Sequence, residues 1–320
     1  MPKWLYFTLT GVGAAAAASA LTYYIPRRRL AKRWALRAPL ASKDFTVEKC
    51  LGSGAQGACY LIRNHERGGR REVVKVSPKG AAQAAVDRLQ ALRATLEAYP
   101  AAPSVQWIPL LGAEMIHHEG KDHVLQYLAH VPGPNLWQAK RHGRLATVPG
   151  CFVAEWARDI LEQWRWQESV GLALTNLVHR NYIVGMDARL WRHDYDAVRD
   201  DMSEPRLWRG RYRAIRMAHE LLAELAGRRP SRKAPLSPRE ESLRKQAGNL
   251  MVELDLGRRM LRKMETRMGH GERRALFERL APVFPEWLER VRELAAVWPS
   301  TELRRLDPEG VMRHYLPAWA

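Results

Sequence analysis

Cysteine is scarce in this chain, and acid is missing from its first 43 residues. The 320 residues hold three Cys: Cys50, Cys59 and Cys151. They form no CxxC pair and no even framework, which argues against a disulfide scaffold and for a reducing compartment. His117, His118 and His270 converge with no Cys or carboxylate at ligand spacing, so the chain shows no metal site of its own. The first acid is Asp44, while seven basic residues lie between Arg27 and Lys43. A formal charge of +18 favours polyanions such as phosphate ligands, an anionic membrane surface or nucleic acid. The last is set aside, because the basic residues are not interleaved with exposed aromatics and no nucleic-acid module is legible. A second basic run, nine residues between Arg206 and Lys233 against two acids, reads as a solvated face.

What is present is enough for two lobes or one large domain. With 46% apolar and 27% charged residues the chain can bury a sizeable core, and most of its 12 Trp belong there or between lobes. Trp4 to Ile25 is a run of 22 residues without charge, long enough to span a bilayer core of about 30 Å as a helix. Trp4 and Tyr6 stand at one end, and Tyr23 and Tyr24 at the other, where aromatic rings favour the interface. Pro26 ends the run and RRRLAKR follows, so the positive-inside rule places the bulk of the chain on the cytoplasmic or mitochondrial matrix side. Residues 1–26 are therefore expected to be a single transmembrane anchor, and 27–43 a basic juxtamembrane linker. Two rivals stay open: signal-peptidase cleavage after Ala18-Ser19-Ala20, and a mitochondrial presequence.

From Phe45 the sequence reads FTVEKCLGSGAQGACYLI, with Gly52, Gly54 and Gly57 spaced GxGxxG. Both flanks read as strands, so the glycines fall between antiparallel strands and not in the strand-to-helix setting of a dinucleotide fingerprint. Glycine there lets backbone amides approach phosphates closely. The next strand, Glu72-Val73-Val74-Lys75-Val76, has one Lys inside an apolar run, and a buried ammonium needs a partner. The structural alternative for Lys75 is an edge strand with its ammonium in solvent.

With Val124 to Leu128 and Pro132-Gly133-Pro134-Asn135-Leu136 added, the chain resembles the protein kinase superfamily from about Phe45 to about Pro230. The resemblance implies an α+β bilobal protein-kinase-like fold with a small antiparallel β N-lobe (44–128) and a larger helical C-lobe (129–305). A tail, 306–320, would follow. It implies a nucleotide site with Gly52, Gly54 and Gly57 over the phosphates, Lys75 on the α- and β-phosphates, and Gln126 and Leu128 at the interlobe hinge. Asp87 and Glu97 are the candidate helix partners of Lys75.

The segment GLALTNLVHRNYIV can be set on the family's catalytic loop in two registers. Placing His179-Arg180-Asn181 on the His-Arg-Asp motif leaves Met186 where a metal-binding Asn belongs, and fails. Placing Leu174-Thr175-Asn176 there brings Asn181 onto that Asn, and Asp194 of Asp194-Tyr195-Asp196 onto the family's second metal ligand. Either register puts Asn where the catalytic Asp belongs. A carboxamide cannot take a proton at neutral pH. The His and Arg of the motif are replaced by Leu174 and Thr175, and the Gly after the metal-binding Asp by Asp196. Arg209 to Gly227 resembles the helix buried in the C-lobe, with Arg213 where an Asp is usual.

The resemblance thus implies a membrane-anchored pseudokinase: Mg-ATP bound through Asn181 and Asp194, no intact catalytic residue, and a scaffold or regulatory role beside a protein partner in a membrane complex. Two alternatives stay open, an active atypical kinase acting on a small molecule or protein, and a structural subunit with an empty pocket. Downstream, Ser237-Pro238-Arg239-Glu240 is a helix start, with Ser as cap and Glu three residues on. The helix it opens carries Leu243, Leu250, Leu254 and Leu261 in rough heptad spacing. Glu272 to Leu280 and Pro285 to Trp298 are expected as further helices.

Overall fold

The structure is a computed structural model that describes residues 36–54, 56–98, 106–174, 176–195, 198–199, 203–228, 236–267, 269–280 and 282–297. The chain is α+β and divides into two compact units, one of residues 1–98 and 109–130, the other of 99–108 and 131–320. The expected anchor, 1–26, most of the linker and the tail lie outside the described residues. Among the described residues no helix is long and apolar enough to cross a membrane.

In the first unit, β1 (Phe45–Ser53), β2 (Ala58–Asn64), β3 (Arg70–Pro78), β4 (Leu110–His118) and β5 (Lys121–Ala129) form one antiparallel sheet, with α1 (Ala82–Ala98) between β3 and β4. The strand order is β1-β2-β3-β5-β4. Alternation decides the faces. Tyr60, Ile62, Val74, Val76, Leu125 and Tyr127 share one side, covered by Leu36 and Leu40 of the segment before β1. Ile62, Val74, Val76 and Leu125 have no exposed surface, and each such side chain contributes about 1.5–3 kcal/mol of burial. The covering segment is tied down by Lys43, 2.7 Å from Glu114, whose carboxylate also accepts the Tyr127 hydroxyl. On α1, Ala82, Ala85, Val86, Leu89 and Leu92 are buried at helical spacing, and the helix packs on β4 and β5.

The second unit is built on α3 (Gly150–Ser169), which follows the short α2 (Leu136–Arg141). Asn135 and Gln138 form a reciprocal capping box at the start of α2. Of the 20 residues of α3, 13 are buried, among them Phe152, Trp156, Ile160 and Gln163. Trp156 donates its indole N–H to the Ala188 carbonyl at 2.9 Å. Ala188 lies in the hairpin of β6 (Tyr182–Val184) and β7 (Leu190–Arg192). A two-residue strand, Gln106–Trp107, pairs parallel with β7. The helices α4 (Glu204–Ala226), α5 (Pro238–Arg267), α6 (His270–Leu280) and α7 (Val283–Ala296) complete the unit.

Ser237 and Glu240 make the expected cap: each accepts the other's main-chain N–H, at 3.2 and 3.0 Å. Leu243, Leu250 and Leu254 are buried; the side chain of Leu261 lies outside the described residues. Gly257 is required by packing, because a Cβ there would lie 2.0 Å from the Trp287 ring of α7. Two expectations need correction. The helix read from Arg209 begins at Glu204, with Pro205 in its first turn, so the stretch after Asp194 is shorter than the spacing suggested. Tyr182 to Arg192 forms a regular hairpin, which the sequence reading did not include.

Candidate functional site

The first unit carries the glycine hairpin and Lys75. Gly52 pairs with Cys59 across β1 and β2, and the Gly54 N–H donates to the Gly57 carbonyl at 2.8 Å. The three glycines differ in what demands them. A Cβ on Gly57 would lie 2.2 Å from the Val76 carbonyl oxygen and 2.7 Å from Ser77 Oγ, so packing alone requires glycine. A Cβ on Gly52 or Gly54 would meet nothing within 4 Å. Packing gives no reason for glycine at those two positions.

Lys75 lies opposite Cys59 on one side and Gln126 on the other, in a strand hydrogen-bonded at both edges. The edge-strand alternative is therefore corrected: β3 is internal to the sheet. Alternation places Lys75 on the face away from Tyr60, Val74 and Tyr127. Its two expected carboxylate partners are engaged within α1. Asp87 accepts from Gln83 at 2.8 Å, and Glu97 pairs with Arg93 at 2.8 Å, both at the exposed surface.

The expected hinge residues are Gln126 and Leu128. Both lie within β5, Gln126 opposite Lys75 and Ala113, Leu128 opposite Val73 and Leu110. With strands on both sides their main-chain groups serve the ladder and offer no free edge to a purine. Gln126 is 0% exposed and Leu128 5%. The ladder ends at Ala129, whose N–H donates to the Pro109 carbonyl at 3.0 Å.

The second unit brings the sequence-predicted metal pair together. Asn181, in a short 3-10 turn ahead of β6, donates from Nδ2 to Asp194 Oδ2 at 3.1 Å and to the Asn176 carbonyl at 2.9 Å. The two main chains are also tied, His193 N–H to the Asn181 carbonyl at 3.0 Å. Asn181 is 7% exposed and Asp194 8%. Asp194 has φ 76°, a left-handed backbone that few residues other than Gly, Asn and Asp adopt. One expected register set Asn176 in place of the catalytic Asp and made Asn181 and Asp194 a pair. Met186, demanded by the other register, sits in the turn between β6 and β7. The Asn181 amide oxygen and the Asp194 carboxylate are hard oxygen donors of the kind Mg²⁺ takes, and among the described residues no group of three or more His, Cys, Asp or Glu is placed to hold a metal ion.

His179, set aside with the failed register, stands in the same turn as Asn181. His179 is mostly buried, its Nε2 3.6 Å from Glu220 Oε2. Burial pulls its pKa down to about 4; Glu220 opposes this, and Lys140 and Arg216 add to it. The ring is neutral at pH 7. Burial pushes Glu220 upward, but hydrogen bonds from Lys140 and Arg216 outweigh it and hold the carboxyl at about 2. This cluster fixes the turn that presents Asn181. No family model matches the chain, and no curated protein matches it.

Proposed function

We propose that this chain is a membrane-anchored, protein-kinase-like protein that binds Mg-ATP and does not transfer its phosphate efficiently, serving as a scaffold or regulatory subunit for a protein partner at the membrane. The observation that carries the reading is the Asn181–Asp194 contact, made between two buried polar residues 13 positions apart at the spacing the kinase resemblance demands. Two features support it: glycine at positions 52 and 54 without a packing reason, and a Lys on an internal strand. In this reading Gly52, Gly54 and Lys75 take the phosphates. Asn181 and Asp194 take the Mg²⁺, which when bound neutralises phosphate charge. Asn176, half-buried and uncharged, has no basicity to accept a substrate proton. Residues 1–26 would hold the protein in the membrane with the remainder on the cytoplasmic or matrix side.

A thermal-shift titration of the full chain with ATP and ADP, with and without Mg²⁺, tests the reading. Ligand at a hundred times its dissociation constant adds about 2.7 kcal/mol of stability, or roughly 4 °C in Tm for a protein of this size. The shift should need Mg²⁺ and be lost in Lys75→Met and Asp194→Asn. No shift at millimolar Mg-ATP would leave the empty-pocket structural subunit as the better account.

A further inference from the structure

We propose that the second unit holds a small inorganic anion of chloride size on the guanidinium of Arg192. Arg192 is the last residue of β7 and has no exposed surface. An arginine stays charged at any pH a protein survives, and carries five N–H donors. Here one nitrogen, Nη1, donates to the Tyr182 hydroxyl at 3.0 Å, and that hydroxyl in turn donates to Gln163 Oε1 at 2.6 Å. Nε and Nη2 are buried with no hydrogen-bond partner. Among the described residues no carboxylate pairs with Arg192. Its compensation is aromatic: the guanidinium carbon lies 5.0 Å from the Trp107 ring centroid and 5.5 Å from that of Tyr182. Ring faces offset only part of what a buried, unpaired cation loses on leaving water.

The other open valences nearby are mostly donors as well. The Gln163 amide nitrogen and the Trp107 indole N–H are buried and unpartnered. Gln167, one helical turn beyond Gln163 on the same face of α3, has both amide atoms buried and unpartnered. A water molecule would bring two donors of its own to a place already rich in them, and no charge. An anion accepts from Arg192 Nε and Nη2 and neutralises the guanidinium. Arg192, Tyr182 and Gln163 are each 0% exposed, so the occupant is small and enters as the unit folds or opens. This site is independent of the nucleotide reading.

Bromide is the probe. Crystals of the full chain grown in sodium bromide should give an anomalous peak within hydrogen-bond distance of Arg192 Nε or Nη2. In parallel, thermal melts at fixed ionic strength, with gluconate replaced stepwise by chloride, should show a saturating rise of ~2–4 °C for wild type and none for Arg192→Met. A water or an acidic side chain of the chain itself seated on Arg192, in place of bromide, overturns the proposal. So does an equal chloride response in both proteins. If Arg192→Met does not fold, the bromide map of the wild type decides alone.

Discussion

Lowering the pH from 8 to 5 should destabilise the protein through His179, by an amount the structure allows one to work out. In the unfolded chain the imidazole titrates near 6.5; in the folded protein burial holds it at about 4. At pH 8 both states are neutral and the residue contributes nothing to the pH dependence. At pH 5 the unfolded ring is mostly protonated and the folded ring mostly is not. The unfolded state is then favoured by a factor of about 30, or ~2 kcal/mol. The loss begins as pH falls through 6.5 and ends near 4. With 13% of its side chain exposed, His179 is shielded enough for solvent screening to take only a small part of this. Glu220, held at about 2, stays ionised across the window and does not confuse the signal.

Asp159 complicates a simple melt, because burial raises its carboxyl to about 8 and its protonation works in the opposite direction as pH falls. The measurement must therefore be a difference. Urea unfolding of wild type and His179→Gln at pH 8, 7, 6 and 5 cancels every titrating group the two share. The wild type should lose ~2 kcal/mol relative to the variant between pH 8 and 5, most of it below pH 6.5. A flat difference would mean that the ring is protonated freely in the fold. A difference of the other sign would mean that Glu220 binds an imidazolium, and the account of the cluster would be wrong.

Three further outcomes are expected. Wild type should show negligible transfer of radiolabelled phosphate to protein or small hydroxyl compounds, and Asn176→Asp should leave ATP binding unchanged and transfer nearly absent, since a lost base accounts for only about 10²–10⁴-fold; transfer by wild type, abolished in Asp194→Ala, would establish an active atypical kinase instead. Carbonate extraction and protease protection on sealed membranes should keep the full chain in the membrane fraction with residues 44–320 on the positive-inside face, whereas a soluble chain beginning at Leu21 would show cleavage. Gly57→Ala should lower urea-unfolding stability by about 1–3 kcal/mol, because the methyl would meet the Val76 carbonyl at 2.2 Å, while Gly54→Ala should be near neutral in stability and weaken nucleotide binding.

Legibility in the sequence followed the range of the interaction. The strands beginning at Phe45, Ala58 and Glu72 announced themselves by β-branched runs and intervening glycines, and they form three neighbouring strands of one sheet. The Ser237–Glu240 cap was readable because both partners sit within one helical turn. What failed was non-local. The resemblance set Val124 to Leu128 at the interlobe hinge, and only the pairing of β5 with both β3 and β4 shows that the ladder runs on to Ala129. The start of α4 was a missed local signal, since Ser203-Glu204-Pro205 is a helix entry in its own right. Arg192 was missed for a subtler reason. Leu190 and Arg192 share a face by strand alternation, so the sequence placed a cation on the core side of β7, but a charged residue beside Trp191 reads as surface until burial is measured.

The Asn181–Asp194 contact has two explanations that place different demands on the chain. As a structural staple it needs only a hydrogen bond between the 3-10 turn and the exit of β7, and the main-chain bond from His193 to Asn181 already joins those two segments. A staple therefore duplicates a connection the backbone has made. It also confines a carboxylate to 8% exposure and a left-handed φ of 76°, both unfavourable, where a neutral amide would serve the same bond. A metal site demands the charge, the oxygen atoms and the fixed position together. The same Nδ2 that donates to Asp194 also donates to the Asn176 carbonyl, so the amide is oriented by main chain as well as by the carboxylate. That arrangement also explains why Asn can stand at position 176 without disturbing its neighbours. The loop uses residue 176 through its carbonyl, and every amino acid supplies one. A side chain without a carboxylate at position 176 therefore leaves the contacts around Asn181 and Asp194 intact, as the proposed nucleotide-binding reading requires.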